Sequence, residues 1–408
     1  MRVCVTVQRY GSDIAGGAET WSRLVAEHLT ARGHEVSVVT SCARSYVTWA
    51  NEYPTSVEEL NGVRIHRLPV QTERHPGLFG PLNARVVWGN KPTPLTLQKH
   101  WLRVQGPHLP DLPDWYREHA DAFDVYVFFT YLYAPTAEGI RVASALGPTV
   151  LHATAHDEPP FWLPVFDPVF HDATAFAFAT PEEEELVRRR SGSHAPGAVV
   201  GIGMDLDEVG DGARFRARYG LGDEPFLLFL GRVDPGKGSD EIVDFFQAYK
   251  QRKGGPLRLV IVGDTVTQPP ARDDIVVTGF VDDQTRADAL AACTVFVQPS
   301  YFESFSMALT EAWVHHKPAL VQGRCDVLLG QAMRSGGAIP YRGYAEFETA
   351  LDMVLADPAL ATRLGDAGRR YVEANYRWDV VMARYEALLE LAVVTRATTR
   401  TRADAPAR

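Results

Sequence analysis

Long hydrophobic runs are missing from this chain. No stretch of ~18 or more apolar residues occurs in its 408, so no segment reads as a membrane span. The opening residues, Met1-Arg2-Val3-Cys4-Val5-Thr6-Val7, lack the apolar core and small-residue cleavage site of a secretory leader and read as a first strand. Cysteine is scarce. Cys4, Cys42, Cys293 and Cys325 are the only four, and no two are spaced as a metal or redox motif. They are expected to be buried small side chains in a reducing compartment, which places the protein in the cytoplasm. Positive charge is also short: 41 Lys and Arg face 51 Asp and Glu, a net charge of −10. That balance argues against a nucleic-acid partner and leaves membrane association peripheral at most. A tight G-x-G-x-x-G after the first strand is missing too. Gly16-Gly17-Ala18-Glu19 stands there instead, which speaks against a nicotinamide-dependent oxidoreductase. No metal cluster is legible, and no cofactor is expected.

What is present is ordinary globular composition, 46% hydrophobic and 23% charged, in a length that suits two domains. The first stretch reads strand, glycine loop, helix, strand. Trp21, Leu24, Val25 and Leu29 recur at helical spacing, Gly33 follows as a C′ residue, and Glu35–Thr40 is the next strand. From about 41 to 118, nine prolines and four tryptophans predict long loops and short helices rather than sheet core. Strands resume at Val125–Phe129, Thr149–Thr154 and Phe176–Ala179. Thr180-Pro181 then opens a helix whose first turn is acidic, Glu182–Glu185, and whose last is basic, Arg188–Arg190. Complementarity to the helix dipole accounts for both runs.

A second βαβ unit begins after the break at 197–207. Phe226–Leu230 is a buried strand and Gly231–Gly238 a glycine-rich loop; a helix and the strand Leu257–Val262 follow. The expected architecture is therefore α/β, with two doubly wound, Rossmann-like sheets whose ligand crevices lie beyond the carboxyl ends of the strands. The expected boundaries are 1–200, 201–375, a final helix at 376–394 packing back on the first domain, and a disordered tail at 395–408.

The chemistry concentrates in the second half. Arg232 and Lys237 flank a glycine turn at a strand's end. Fixed cations with little side-chain bulk around them suit a nucleotide diphosphate, whose departure builds negative charge; an ordinary turn with two solvated charges is the alternative. Farther on, Glu303 and Glu311 stand eight residues apart around Ser304, Phe305 and Ser306, one before a helix and one inside it. At ~1.5 Å per residue they are separated by roughly 12 Å, about the span from a donor sugar to the ribose of its nucleotide. Backbone N–H groups at the helix start between them would face an anion.

With these motifs the chain resembles the retaining GT-B glycosyltransferases of family 4, over nearly its whole length. The resemblance implies two Rossmann-like domains facing across a cleft, with acceptor on the first and nucleotide-sugar on the second. It implies that Arg232 and Lys237, with Gly231, bind the leaving diphosphate. Glu303 would meet the donor sugar, Glu311 the ribose, and Val281 the nucleobase. Ser304 and Ser306 stand where the family often has glycine. Gly16-Gly17 is similar to the family's N-terminal glycine loop, where backbone approaches phosphate. His156, beside Asp157 just past a strand, is similar to its active-site histidine. His152, inside that strand, is read as structural. Tyr131, Tyr133, Phe161 and Trp162 are read as core or acceptor-lining. The implied activity is retaining transfer of a sugar from a nucleotide-diphosphate donor to a hydroxyl of a saccharide, lipid-linked sugar or natural product. The alternatives are a sugar-nucleotide epimerase or phosphorylase on the same fold, or a non-catalytic binder.

Overall fold

The structure is a computed structural model and describes residues 1–403 apart from Asp234, Val266 and Thr267. The chain forms two compact units, Met1–Val200 with Met382–Arg408, and Gly201–Val381.

The first unit is built on a sheet of eight strands among the described residues: β1 (Arg2–Thr6), β2 (Glu35–Ser41), β3 (Val57–Leu60), β4 (Val63–Leu68), β5 (Val125–Phe129), β6 (Thr149–His152), β7 (Ala175–Phe178) and β8 (Gly197–Val199). Their order is β3-β4-β2-β1-β5-β6-β7-β8, and only the β3–β4 pair is antiparallel. β5 is buried along its whole length, as a parallel strand covered on both faces must be. Helix Gly17–Ala31 turns Trp21, Val25, Ala26 and Leu29 to the sheet, one stripe at helical period.

Two expectations fail here. The segment 41–118 does contain helices, at Pro76–Val86, Leu95–Gln105 and Leu112–Glu118, but it also supplies β3 and the sheet strand β4. The hairpin between them turns on Asn61-Gly62, both at positive φ (51° and 78°). Asn-Gly is the residue pair that such a two-residue turn favours, and the surrounding prolines masked it. Second, the last helix runs Trp378–Ala403, through residues that composition assigns to a disordered tail from 395. No Gly or Pro interrupts that stretch, and its Ala and Arg residues propagate a helix already begun. Within the first unit the helix buries Tyr385, Leu388, Leu389 and Ala392. Glu386 pairs with Arg32 at 2.8 Å and His34 at 3.0 Å.

The second unit carries six strands among the described residues: β9 (Phe226–Leu230), β10 (Arg258–Val262), β11 (Ile275–Val277), β12 (Val295–Gln298), β13 (Ala319–Gln322) and β14 (Ala338–Tyr341). Their order, β11-β10-β9-β12-β13-β14, is parallel throughout. The chain steps outward from β9 to β11, then returns to β12 beside β9 and steps the other way. That reversal opens a crevice at the carboxyl ends of β9 and β12. All four cysteines are buried and unpaired. No helix of the described residues is long and apolar enough to cross a membrane.

Candidate functional site

The loop after β9 begins by extending the sheet. Gly231 N–H donates to Val262 O at 2.9 Å, and Val233 N–H to Asp264 O at 2.8 Å. Asp234 lies outside the described residues. Gly238, at φ +69°, precedes helix Ser239–Lys253, and a Cβ there would overlap the carbonyl of Pro299. The loops after β9 and β12 are therefore pressed together as only glycine allows. This contact brings Lys237 to Glu303: Nζ lies 2.8 Å from Oε1, with the Glu303 side chain only 9% exposed. Gln298, the last residue of β12, donates from Nε2 to the same oxygen at 3.0 Å and to Ser300 Oγ at 3.0 Å. Gln298 is absent from the sequence reading. Its one signal is a polar residue ending an otherwise apolar strand. Arg232 is exposed on the same loop.

Past Glu303 the chain enters helix Met307–Val314 through Ser306, whose φ is +75°. A left-handed backbone at this position gives the physical reason why glycine suits it. The Ser306 hydroxyl is buried and finds no hydrogen-bond partner among the described residues. The Phe305 ring, 2% exposed, packs edge-on against Tyr376 and belongs to the core. A ligand at this turn can meet only the backbone of Phe305, while Ser304 beside it is half-buried.

Glu311 lies on the second turn of that helix. It faces Arg286 at 3.5 Å, and Arg286 in turn faces Asp283 at 3.4 Å and Glu208 at 3.8 Å. His315 reaches Glu208 at 3.3 Å. Burial pushes the Glu311 carboxyl up from its usual range, opposed by Arg286 and reinforced by Glu208 and Asp283. Arg286 sits on helix Asp283–Ala292, whose cap residue Asp282 follows Val281. Val281 is half-buried. Arg286 and Glu208 come from distant parts of the chain, and nothing in sequence marks them.

In the first unit Gly16 and Gly17 follow β1. Arg9, 6% exposed, donates from Nε and Nη2 to Glu19 Oε1 at 3.0 and 2.6 Å, from Nη2 to Ala15 O at 3.1 Å, and from Nη1 to Arg44 O at 2.7 Å. A Cβ at Gly16 would collide with the Glu19 carboxylate, whereas one at Gly17 meets nothing within 4 Å. Gly16 is therefore required by the loop's own ion pair, and Gly17 leaves the open approach.

His156 follows β6, on the same sheet edge. Thr154 turns the chain at φ +47°. Asp157, expected beside the imidazole, points away: it accepts from Trp162 Nε1 at 2.8 Å and faces Arg189 at 3.4 Å. Glu158 faces the ring instead, its Oε1 lying 3.6 Å from Nδ1. Behind the turn lies Glu183, 1% exposed, which accepts from Ala155 N–H at 2.8 Å and Ala179 N–H at 2.7 Å. Dipole complementarity accounts for the neighbouring glutamates but not for this buried one. Burial raises its carboxyl to about 7. His152 is core. It stacks on Phe129 at 4.0 Å, meets Tyr385 Oη at 2.8 Å, and burial lowers it to about 3, so it is neutral. Tyr131 and Phe161 are core as well; Tyr133 is half-buried and Trp162 is 43% exposed.

Residues 212–371 match the family described as glycosyl transferases group 1. The chain is 29% identical over 231 residues to D-inositol 3-phosphate glycosyltransferase of Streptomyces avermitilis, covering 50% of this chain and 48% of that one. It spans about half the length of the first curated relatives it matches. Sucrose-phosphate synthase from Thermosynechococcus elongatus has the same fold at a TM-score of 0.69 and 19% identity, over 96% of this chain and 98% of that one. Anabaena HepE in complex with UDP-glucose aligns at a TM-score of 0.66 and 13% identity, over 98% and 100%. The fold is accordingly GT-B. Residues 212–371 thus match the group 1 glycosyltransferases, and the two Rossmann-like sheets share the fold of these solved structures.

Proposed function

We propose that this protein is a retaining glycosyltransferase that moves a sugar from a nucleotide-diphosphate donor to an acceptor hydroxyl in the cytoplasm. The observation that carries the reading is the Lys237–Glu303 pair, anchored by Gln298 where the strand order reverses. A cation beside a mostly buried carboxylate, at the carboxyl ends of two adjacent strands, suits a ligand with anionic and hydroxylated halves.

In this reading the bond between the sugar's anomeric carbon and the diphosphate oxygen breaks, and the new bond forms on the same face. The acceptor proton leaves with the diphosphate. Arg232 and Lys237 stabilise the negative charge gathering on the departing group. Gly231 lets the backbone approach it, and the N–H groups around Ser304–Ser306 face it at the helix start. Glu303 takes donor-sugar hydroxyls, Glu311 the ribose, and Val281 packs on the base. His156 and the open backbone at Gly17 serve the sugar and acceptor from the first unit. The acceptor is a saccharide, a lipid-linked sugar or a hydroxylated natural product, and no further cofactor takes part.

HepE binds UDP-glucose by its own description, which favours uridine diphosphate sugars as the first donors to try. The test incubates the protein with UDP-glucose and with other nucleotide sugars, with and without an acceptor panel. Release of nucleoside diphosphate together with a glycosylated acceptor supports transfer. Isomerised donor without acceptor would indicate an epimerase, consumption by inorganic phosphate a phosphorylase, and binding without turnover a sugar-nucleotide-binding protein.

A further inference from the structure

Glu183 is a buried carboxylate for which the proposed chemistry has no use. It is 1% exposed, yet it lies at a helix start where solvent could satisfy a glutamate at no desolvation cost. Its two oxygens are divided between two segments. Oε2 accepts from Ala179 N–H at the end of β7, and Oε1 accepts from Ala155 N–H in the turn after β6. The second bond ends one residue before His156. Its own helix holds it rigidly, because Thr180 Oγ1 accepts from Glu183 N–H at 3.2 Å and Pro181 fixes the first turn.

We propose that Glu183 is the positioning residue of the His156 turn: it clamps the Ala155 amide and sets a negative charge behind the imidazole. The inference rests on the reading that His156 acts in transfer. The groups facing the carboxylate are the amides of Thr154, Ala155 and Ala179 and the His156 ring; Glu158 Oε1 also lies 3.6 Å from Nδ1 of that ring. With its carboxyl raised to about 7 by burial, Glu183 changes charge in the range where such enzymes work. Below that range the neutral acid holds the Ala155 amide less strongly, and the imidazole loses one of its two facing charges.

The test uses the full chain and the isosteric substitution Glu183→Gln, whose amide cannot accept from both backbone N–H groups. E183Q should bind UDP as wild type does, since UDP belongs to the other unit. It should lose about tenfold in kcat with little change in donor KM, and it should lack the wild type's acid-side fall in kcat near pH 7. In a double-mutant cycle, E183Q should cost nothing further once His156 is alanine.

An unchanged kcat and pH profile in E183Q overturns the proposal. So does an equal further loss in the H156A background, which would mark a purely structural role. Should E183Q not fold, Glu183→Asp keeps the charge at shorter reach and is read in the same way: tenfold lower kcat with the acid limb retained supports the clamp, and wild-type kcat overturns it. Full transfer by H156A would refute the catalytic reading of His156, whereas reduced transfer by H156A with wild-type kcat in E183Q would refute the clamp by itself.

Discussion

Lys237 and Glu303 are already paired at 2.8 Å, so each is half of the other's environment. In the proposed reading an incoming diphosphate would draw Lys237 toward its oxygens and leave Glu303, mostly buried, to the sugar hydroxyls and Gln298. Replacing Lys237 or Arg232 by alanine should lower kcat/KM by on the order of 100-fold, and steady-state kinetics with the donor checks this. Near-wild-type turnover in both variants would remove the diphosphate assignment. The two glutamates separate by a different measurement. Glu311 is held by Arg286 at 3.5 Å and is assigned to the ribose, which donor and free nucleotide share. Losing hydrogen bonds to a charged group costs roughly 1.5–3 kcal/mol, so Glu311→Ala should weaken UDP binding by about tenfold or more. Glu303→Ala should leave UDP affinity in place and lower kcat. Calorimetry that finds equal losses of UDP binding in both would refute the division. The identities of these residues were readable in order along the chain. The partners that orient them, Gln298 for Glu303 and Arg286 with Glu208 for Glu311, were not, because sheet neighbours and packed helices are distant in sequence.

At the scale of elements, helix Met307–Val314 carries Glu311 and owes its position to helix Pro358–Asn375. A Cβ at Gly368 would overlap the buried ring of Trp313, and one at Gly365 would overlap the carbonyl of His316. The close approach exists because both residues lack that atom. Gly368→Ala should therefore destabilise the second unit by about 1–3 kcal/mol through overpacking, seen as a lower denaturation midpoint. It should also weaken UDP binding, since Trp313 lies two residues from Glu311. Unchanged stability would show that the helices can separate at little cost. The start of helix Pro181–Ser191 was legible, since Thr180 caps it and Pro181 opens it, and so was its basic last turn; Gly192 at φ 61°, which follows as C′, was not read. Strand β4 was not, because prolines nearby outweighed a short alternating run that only its pairing with β2 makes into sheet. Propensity ranks what a segment can do, and the neighbouring strand decides.

For the whole molecule, the buried Glu183 sets a pH dependence opposite in sign to that of a salt-bridged carboxylate. Its carboxyl titrates at about 7 in the fold, against about 4.5 when unfolded. Between those values the native state holds the proton more tightly, so this group's contribution to stability is full below about pH 4.5 and falls as pH rises to about 7. The change is on the order of 3 kcal/mol. Thermal unfolding at pH 5 and pH 8 should show wild type losing more than E183Q over that interval, and equal losses would contradict the burial argument. By itself the sequence determined the class of fold, two parallel α/β units, because β-rich runs alternate with helical periodicity and each glycine loop follows a strand. It also marked Arg232, Lys237, Glu303 and Glu311, since their spacing along one loop or one helix is local geometry. Tertiary structure alone decided which charges meet. Glu158 rather than Asp157 faces His156, Glu183 leaves the helix surface for the interior, Arg286 holds Glu311, and the last helix closes on the first unit through Tyr385 and Glu386. Each of these contacts depends on where a strand edge or helix face places a side chain in space, which burial sets and order along the chain does not.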